Sequence, residues 1–108
     1  PGRVVARDVR LGAVWNKLGF PSLGWEYVFR QLVAIKEKRD TPIFINIGKN
    51  RSTPNENAAA DYLFLIEKFA PVADAFVVNV SSPNTAGLRE LLKEESLKPL
   101  LSAVRSAT

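Results

Sequence analysis

The sequence has 108 residues, 46% hydrophobic and 24% charged, with a formal net charge of +4 and no Cys, His or Met. Missing cysteine and histidine remove disulfides, thiolate metal sites, thiol nucleophiles and the imidazole base of a Ser-His-Asp triad, so no metal site is expected. Any chemistry must run on Asn, Ser, Lys, Arg and carboxylates.

The length fits one small domain or a piece of a larger one. A piece is the expectation, because the chain starts at Pro1 and stops at Thr108 just after the apolar-periodic stretch around Leu100 and Val104. The composition is that of a soluble globular protein. There is no apolar run of the roughly 18 residues a membrane helix needs and no basic-then-apolar leader. Arg3, Arg7, Arg10 and Lys17 face only Asp8 in the first 17 residues, and the remainder is almost neutral. A short basic edge without interleaved aromatics is not a nucleic-acid surface, and no nucleic-acid partner is expected.

The first periodic element is a helix from about Gly24 to Arg39, with Val28, Leu32 and Ile35 on one stripe and Lys36-Glu37-Lys38-Arg39 at its polar end. Asp40-Thr41-Pro42 closes it and opens the run Ile43-Phe44-Ile45-Asn46-Ile47, which ends at Gly48. This near-continuous apolar, β-branched run reads as a parallel strand covered on both faces. Thr53-Pro54-Asn55-Glu56 fits a capping box, with Thr53 as N-cap. The helix it opens carries Ala58, Tyr62, Ile66 and Phe69 on its core face and stops at Pro71. Ala75-Phe76-Val77-Val78-Asn79-Val80 is the second strand, ended by Ser81-Ser82-Pro83-Asn84. A last helix from near Ser96 uses Leu97, Leu100, Leu101 and Val104.

Helix, strand, helix, strand, helix is a βαβ arrangement with a parallel strand pair. Two parallel strands do not make a stable sheet alone. The fold class is therefore α/β, with residues 1–108 a single incomplete domain: a consecutive slice of a (β/α)8 TIM barrel or of a doubly wound sheet.

Each strand carries one Asn just before its last apolar residue and another beyond its end: Asn46 and Asn50, then Asn79 and Asn84. A buried amide must be satisfied, and an apolar strand offers little to satisfy it. Each could simply tie down the neighbouring loop. Two in the same register, at the carboxyl ends of parallel strands where barrels and open α/β sheets bind ligands, favour a ligand site. Gly48-Lys49-Asn50 lacks the upstream Gly and the following Ser or Thr of a phosphate loop, so Lys49 is expected to be a solvated loop cation. Pro83 biases Ser82 toward extended geometry at the strand end. As a proton acceptor Ser82 needs proton loss coupled to hydride departure and an onward relay, for which Thr85 is the nearest group.

The segment Asn79-Val80-Ser81-Ser82-Pro83-Asn84-Thr85-Ala86-Gly87-Leu88-Arg89 resembles the signature of dihydroorotate dehydrogenases of class 2, the quinone-dependent flavin enzymes of pyrimidine synthesis. Asn16-Lys17-Leu18-Gly19-Phe20 resembles their substrate loop, Ile45-Asn46-Ile47-Gly48-Lys49-Asn50 their flavin-contacting strand end, and Pro1-Gly2 with Arg7 and Arg10 an upstream stretch. The resemblance implies a slice of a TIM barrel that binds FMN and dihydroorotate or orotate and passes electrons to a membrane quinone. It implies that Ser82 takes the C5 proton of dihydroorotate while hydride moves from C6 to the flavin, with Thr85 and Phe20 lining the proton path. It places Asn16, Lys17, Leu18, Gly19, Phe20, Asn79 and Asn84 around the substrate, and Asn46 and Asn79 on FMN. Class 1 relatives carry Cys where Ser82 stands, which points to class 2. Pro21 and Ala86 depart from the family pattern without touching a proposed role, whereas Ala6 in place of the Pro before Arg7 and a short gap from Arg10 to Asn16 speak against Arg10 facing the quinone.

The resemblance also implies peripheral membrane association, on the cytoplasmic side of a bacterial inner membrane or at the mitochondrial inner membrane of a eukaryote, through parts without counterpart here. The flavin-binding lysines and phosphate-binding glycines of the family also lack counterparts, so this chain alone is expected to be inactive. The alternatives are another FMN barrel oxidoreductase, or a noncatalytic βα fragment that self-associates or binds a protein partner.

Overall fold

The structure is a computed structural model and describes residues 4–19, 21–81 and 87–108. Two strands, β1 (Val5–Asp8) and β2 (Ala13–Asn16), pair as an antiparallel hairpin. The sequence reading placed no strand here, naming a basic edge, a family stretch with Arg7 and Arg10, and a loop from Asn16. Its turn forms because the Asp8 carboxylate accepts the backbone N–H groups of Arg10 and Leu11 at 2.9 and 3.1 Å, and because Gly12 takes a φ of 59°. Asp at the end of one strand and Gly before the next is the signal that would have revealed it.

Then follow α1 (Trp25–Ile35), a 3-10 turn (Lys36–Lys38), β3 (Phe44–Ile47), a 3-10 turn (Asn55–Asn57), α2 (Ala58–Phe69), β4 (Ala75–Val78), a 3-10 segment (Leu88–Leu92) and α3 (Glu94–Ala107). The helix, strand, helix, strand, helix order is as expected. Local details differ. Thr53 does not cap α2: Pro54 is extended with ψ 153°, a 3-10 turn intervenes, and no side chain caps the helix. The Thr53 backbone is committed elsewhere, its N–H to the Asn50 carbonyl at 3.2 Å and its own carbonyl to the Lys49 ammonium. The first helix ends before Arg39, and α3 starts two residues before Ser96, placing Glu94 and Glu95 where the helix dipole favours negative charge.

β3 and β4 pair in parallel, with Asn46 opposite Val77, and the Asn79 N–H extends the ladder to the Ile47 carbonyl at 2.9 Å. Alternation sorts their side chains into two faces. Ile45, Ile47, Phe76, Val78 and Val80 turn toward α2, where the whole anticipated stripe of Ala58, Tyr62, Ile66 and Phe69 is buried. Leu88, Leu91 and Leu100 complete this core. Burying each large aliphatic side chain there stabilises the fold by about 1.5–3 kcal/mol.

The other face is open. Phe44 is 64% and Val77 45% exposed, so the expectation of two covered faces holds for one face only. The chain exposes 8118 Å², against roughly 6,000 Å² for a compact monomer of this mass. Its radius of gyration is 16.0 Å, against about 13 Å for a closed domain of this length.

Candidate active site

The parallel register brings the two strand asparagines together. Asn46 lies opposite Val77, and Asn79 stands two residues further on, so both belong to the open face at the carboxyl end of the strands. They share a face but not the register expected from the sequence, since Asn46 lies inside β3 and Asn79 lies just past the end of β4. Their surroundings differ from the expectation of buried amides: Asn46 is exposed and Asn79 half-buried, because nothing among the described residues covers this face.

Asn79 in part takes the loop-tying role. Its Oδ1 accepts the Ser81 N–H at 3.0 Å and the Ser81 hydroxyl at 3.1 Å. With that oxygen engaged twice, the group it can offer a ligand is the Nδ2 donor pair. Among the described residues no hydrogen bond holds the exposed Asn46 amide.

A cavity of about 820 Å³ opens beside β3, walled by Gly19, Trp25, Asn46, Lys49, Asp61 and Phe64 among others. It brings Gly19 of the first loop to the same space as Asn46. Asn16, Lys17 and Leu18 are exposed and off its wall, the half-buried Asn79 is also off it, and the Asn16 Oδ1 accepts the Leu18 N–H at 3.4 Å. Phe20, Ser82, Asn84 and Thr85 lie outside the described residues.

Lys49 corrects the sequence reading. It is only 6% exposed, and its ammonium donates to the Asn50 carbonyl at 3.1 Å and to the Thr53 carbonyl. A solvated cation was expected, but the loop folds around this charge and engages two of its three donors. The nearby Asp61 carboxylate is likewise turned to backbone, accepting the Asn50 N–H at 2.7 Å. Lys49 and Asp61 are thus both committed to loop backbone, while Arg51 on the same cavity wall is exposed.

Tyr62, read only as a core residue, also contributes. It is fully buried, and its hydroxyl donates to the Asn79 carbonyl at 2.8 Å, beside the Lys49 backbone amide. Burial pushes its pKa up, the Lys49 amide opposes that rise, and the Asp61 charge adds to it, so the hydroxyl stays a donor. A lone tyrosine in an aliphatic stripe was the available signal, since a buried phenol needs a polar partner.

A helix-backed parallel strand pair with amides at its carboxyl ends defines an α/β protein of the class that binds small ligands beyond its strand ends. The family model described as dihydroorotate dehydrogenase matches residues 3–108. The chain belongs to the dihydroorotate dehydrogenase family. It is 51% identical to a dihydroorotate dehydrogenase (quinone) of Anaeromyxobacter dehalogenans strain 2CP-C over 84% of its length and 25% of the relative's. It is 43% identical to one of Xylella fastidiosa strain 9a5c, over 99% of this chain and 31% of the relative. Among solved structures, the crystal structure of DHODH in complex with ferulenol from Eimeria tenella superposes with a TM-score of 0.77 at 34% identity, covering 87% of this chain and 26% of that one. The chain spans about a quarter to a third of the relatives it matches.

Proposed function

We propose that this chain is a consecutive slice of a flavin-binding (β/α)8 barrel, residues 1–108 forming one incomplete domain. The whole protein oxidises dihydroorotate to orotate in de novo pyrimidine biosynthesis, with FMN as cofactor and a membrane quinone as electron acceptor. The observation that carries this reading is the placement of Asn46 and Asn79 on one face at the ends of adjacent parallel strands. The open face and extended shape support the slice, and the quinone in the relatives' names supports the acceptor.

The residues present fit a flavin. Phe44 and Val77 offer apolar surface beside two amides, matching a flat ring with an apolar and a hydrogen-bonding side. Asn46 and Asn79 would hold it, and bound FMN supplies an acceptor for the hydride leaving C6. Ser82 takes the C5 proton in the same oxidation, leaving a C5–C6 double bond, and Thr85 and Phe20 line the route by which that proton departs. Asn16, Lys17, Leu18, Gly19, Phe20, Asn79 and Asn84 surround the pyrimidine. Ser82→Ala in the full-length protein is expected to lower turnover by about two to four orders of magnitude, the range of general acid–base catalysis, with flavin still bound. Membrane association is peripheral, through parts outside this chain, on the cytoplasmic side of a bacterial inner membrane or at the mitochondrial inner membrane of a eukaryote. No helix among the described residues is long and apolar enough to cross a membrane.

The test is to purify the full-length polypeptide containing this segment, add dihydroorotate without oxygen and follow the visible flavin band. Bleaching, then recovery on adding a quinone, is the expected result. Flavin that stays oxidised with dihydroorotate yet bleaches with another reductant would assign a different FMN oxidoreductase, and a protein without flavin would overturn the reading. The uncovered sheet face also favours a second reading for the isolated 108-residue chain, a noncatalytic fragment that self-associates.

A further inference from the structure

Asn79 stands one residue past β4, where the ladder is ending, yet both of its own backbone polar groups are tied. Its N–H donates to the Ile47 carbonyl at 2.9 Å, which carries the ladder one rung beyond the strands. A regular parallel ladder puts the next rung between the Lys49 N–H and the Asn79 carbonyl. Among the described residues that bond does not form. The Tyr62 hydroxyl takes its place, donating to the Asn79 carbonyl at 2.8 Å with the Lys49 amide beside the phenol oxygen. One side chain of α2 thus closes the sheet where a rung is missing.

Tyr62 is itself immobilised, fully buried beside Ala58 and Ile66. Its neighbour Asp61 accepts the Asn50 N–H at 2.7 Å, so α2 also holds the chain leaving β3. Each residue has only two soft backbone dihedrals, and bonds at both its N–H and its carbonyl restrain them together with the direction of its Cα–Cβ bond. The Asn79 side chain is restrained in turn. Its Oδ1 accepts the Ser81 N–H and hydroxyl at 3.0 and 3.1 Å, which leaves the Nδ2 donors as the group presented outward. Burial of the α2 stripe asks only for an apolar ring at position 62; the phenol oxygen serves Asn79.

We infer that Tyr62 is a positioning residue that aims the Asn79 amide from the core side, with the Ser81 hydroxyl fixing the rotation of that amide. The inference rests on the reading of Asn79 as a flavin contact. A contact ordered before its ligand arrives binds more tightly, because the cost of ordering it is not met at the moment of binding. Loss of the Tyr62 hydroxyl therefore weakens flavin retention, and does so only while the Asn79 amide is there to be aimed.

The experiment measures FMN dissociation constants of the full-length flavoprotein from the return of free-flavin fluorescence on dilution, for Tyr62→Phe, Asn79→Ala and the double variant. Tyr62→Phe and Asn79→Ala are each expected to raise the constant about three- to tenfold, the range of one hydrogen bond. In the Asn79→Ala background, Tyr62→Phe is expected to change it by less than about twofold, because residues acting through one contact do not add. Parent-level flavin retention in Tyr62→Phe with only the Tm lowered, or two effects that multiply in full, would show a merely structural role and overturn the inference. Asn79→Ala separates the two levels. If it weakens retention while Tyr62→Phe matches the parent, the aiming alone fails; if it retains flavin like the parent, the reading of Asn79 as a flavin contact fails and the aiming with it. Should Tyr62→Phe not fold with flavin, the exposed Ser81→Ala decides in the same cycle with Asn79→Ala, by the same coupling or its absence.

Discussion

Arg39 and Asp74 lie 35 residues apart in the chain and meet at the amino-terminal end of the parallel strands, opposite Asn46 and Asn79. Asp74 Oδ2 accepts Arg39 Nη1 at 2.5 Å and the Ile43 N–H at 2.7 Å. The same guanidinium donates to the Thr41 carbonyl at 2.8 Å and to the Val72 carbonyl at 3.4 Å. One ion pair thus straps the chain leaving α1 to the starts of β3 and β4. In parallel barrels this face serves stability while the opposite face serves chemistry.

The strap carries a pH signature. The Arg39 hydrogen bond, and after it the Ile43 N–H, hold the Asp74 carboxyl below its ordinary value of 3.8. A carboxyl depressed in the folded state stabilises above its unfolded pKa, and that contribution is lost as pH falls from about 3.8 through the lower folded value. Asp74→Asn is expected to lower the Tm of the full-length protein at neutral pH and to shrink its difference from the parent as pH drops through this window. A difference that stays constant down to strongly acidic pH would show that the pair does not titrate with folding.

Phe44 tests whether the open face is covered in the whole protein. If its 64% exposure persists in the full-length protein, Phe44→Ala there should change stability by less than about 0.5 kcal/mol. In a closed barrel the same substitution should cost about 3–5 kcal/mol in urea unfolding. The isolated chain itself is expected to scatter light as oligomers. A cooperative monomer at high concentration would contradict the slice.

Lys49 is a buried cation whose partners are two backbone carbonyls. Lys49→Met keeps much of the stem but leaves those carbonyls unpaired, at a cost of about 1–3 kcal/mol. Amide hydrogen exchange of full-length protein should show the loss of protection concentrated at residues 50–53. Unchanged protection there would mean the loop holds without the ammonium.

Asn46 carries an amide that no hydrogen bond among the described residues holds. If it meets the flavin, Asn46→Ala should weaken FMN retention about five- to tenfold, the effect of one lost hydrogen bond. The unfolding temperature of the flavin-free protein should stay unchanged. A parent-like flavin dissociation constant would remove Asn46 from the cofactor site.

Elements governed by local periodicity were legible without coordinates. The buried face of α2 is the stripe Ala58, Tyr62, Ile66 and Phe69, because a helix against a sheet must bury one stripe at its own period. The parallel pairing of β3 and β4 followed from two apolar runs separated by one helix. The family was legible in the residue pattern from Asn79 to Arg89, and the family model matches residues 3–108.

Long-range partners decided the rest. The box Thr53 to Glu56 matched a cap, yet the Lys49 ammonium claimed the Thr53 carbonyl, and a buried charge demands partners more strongly than one helix end demands a cap. The Tyr62 hydroxyl reaching Asn79, the Asn55 amide reaching Gly87 and the Arg39 strap on Asp74 join positions 17, 32 and 35 residues apart. Sequence by itself fixes which residues want burial and at what period. Where a polar atom finds its partner depends on which backbone the fold brings within about 3 Å, and that is set only once the sheet and its helix have packed.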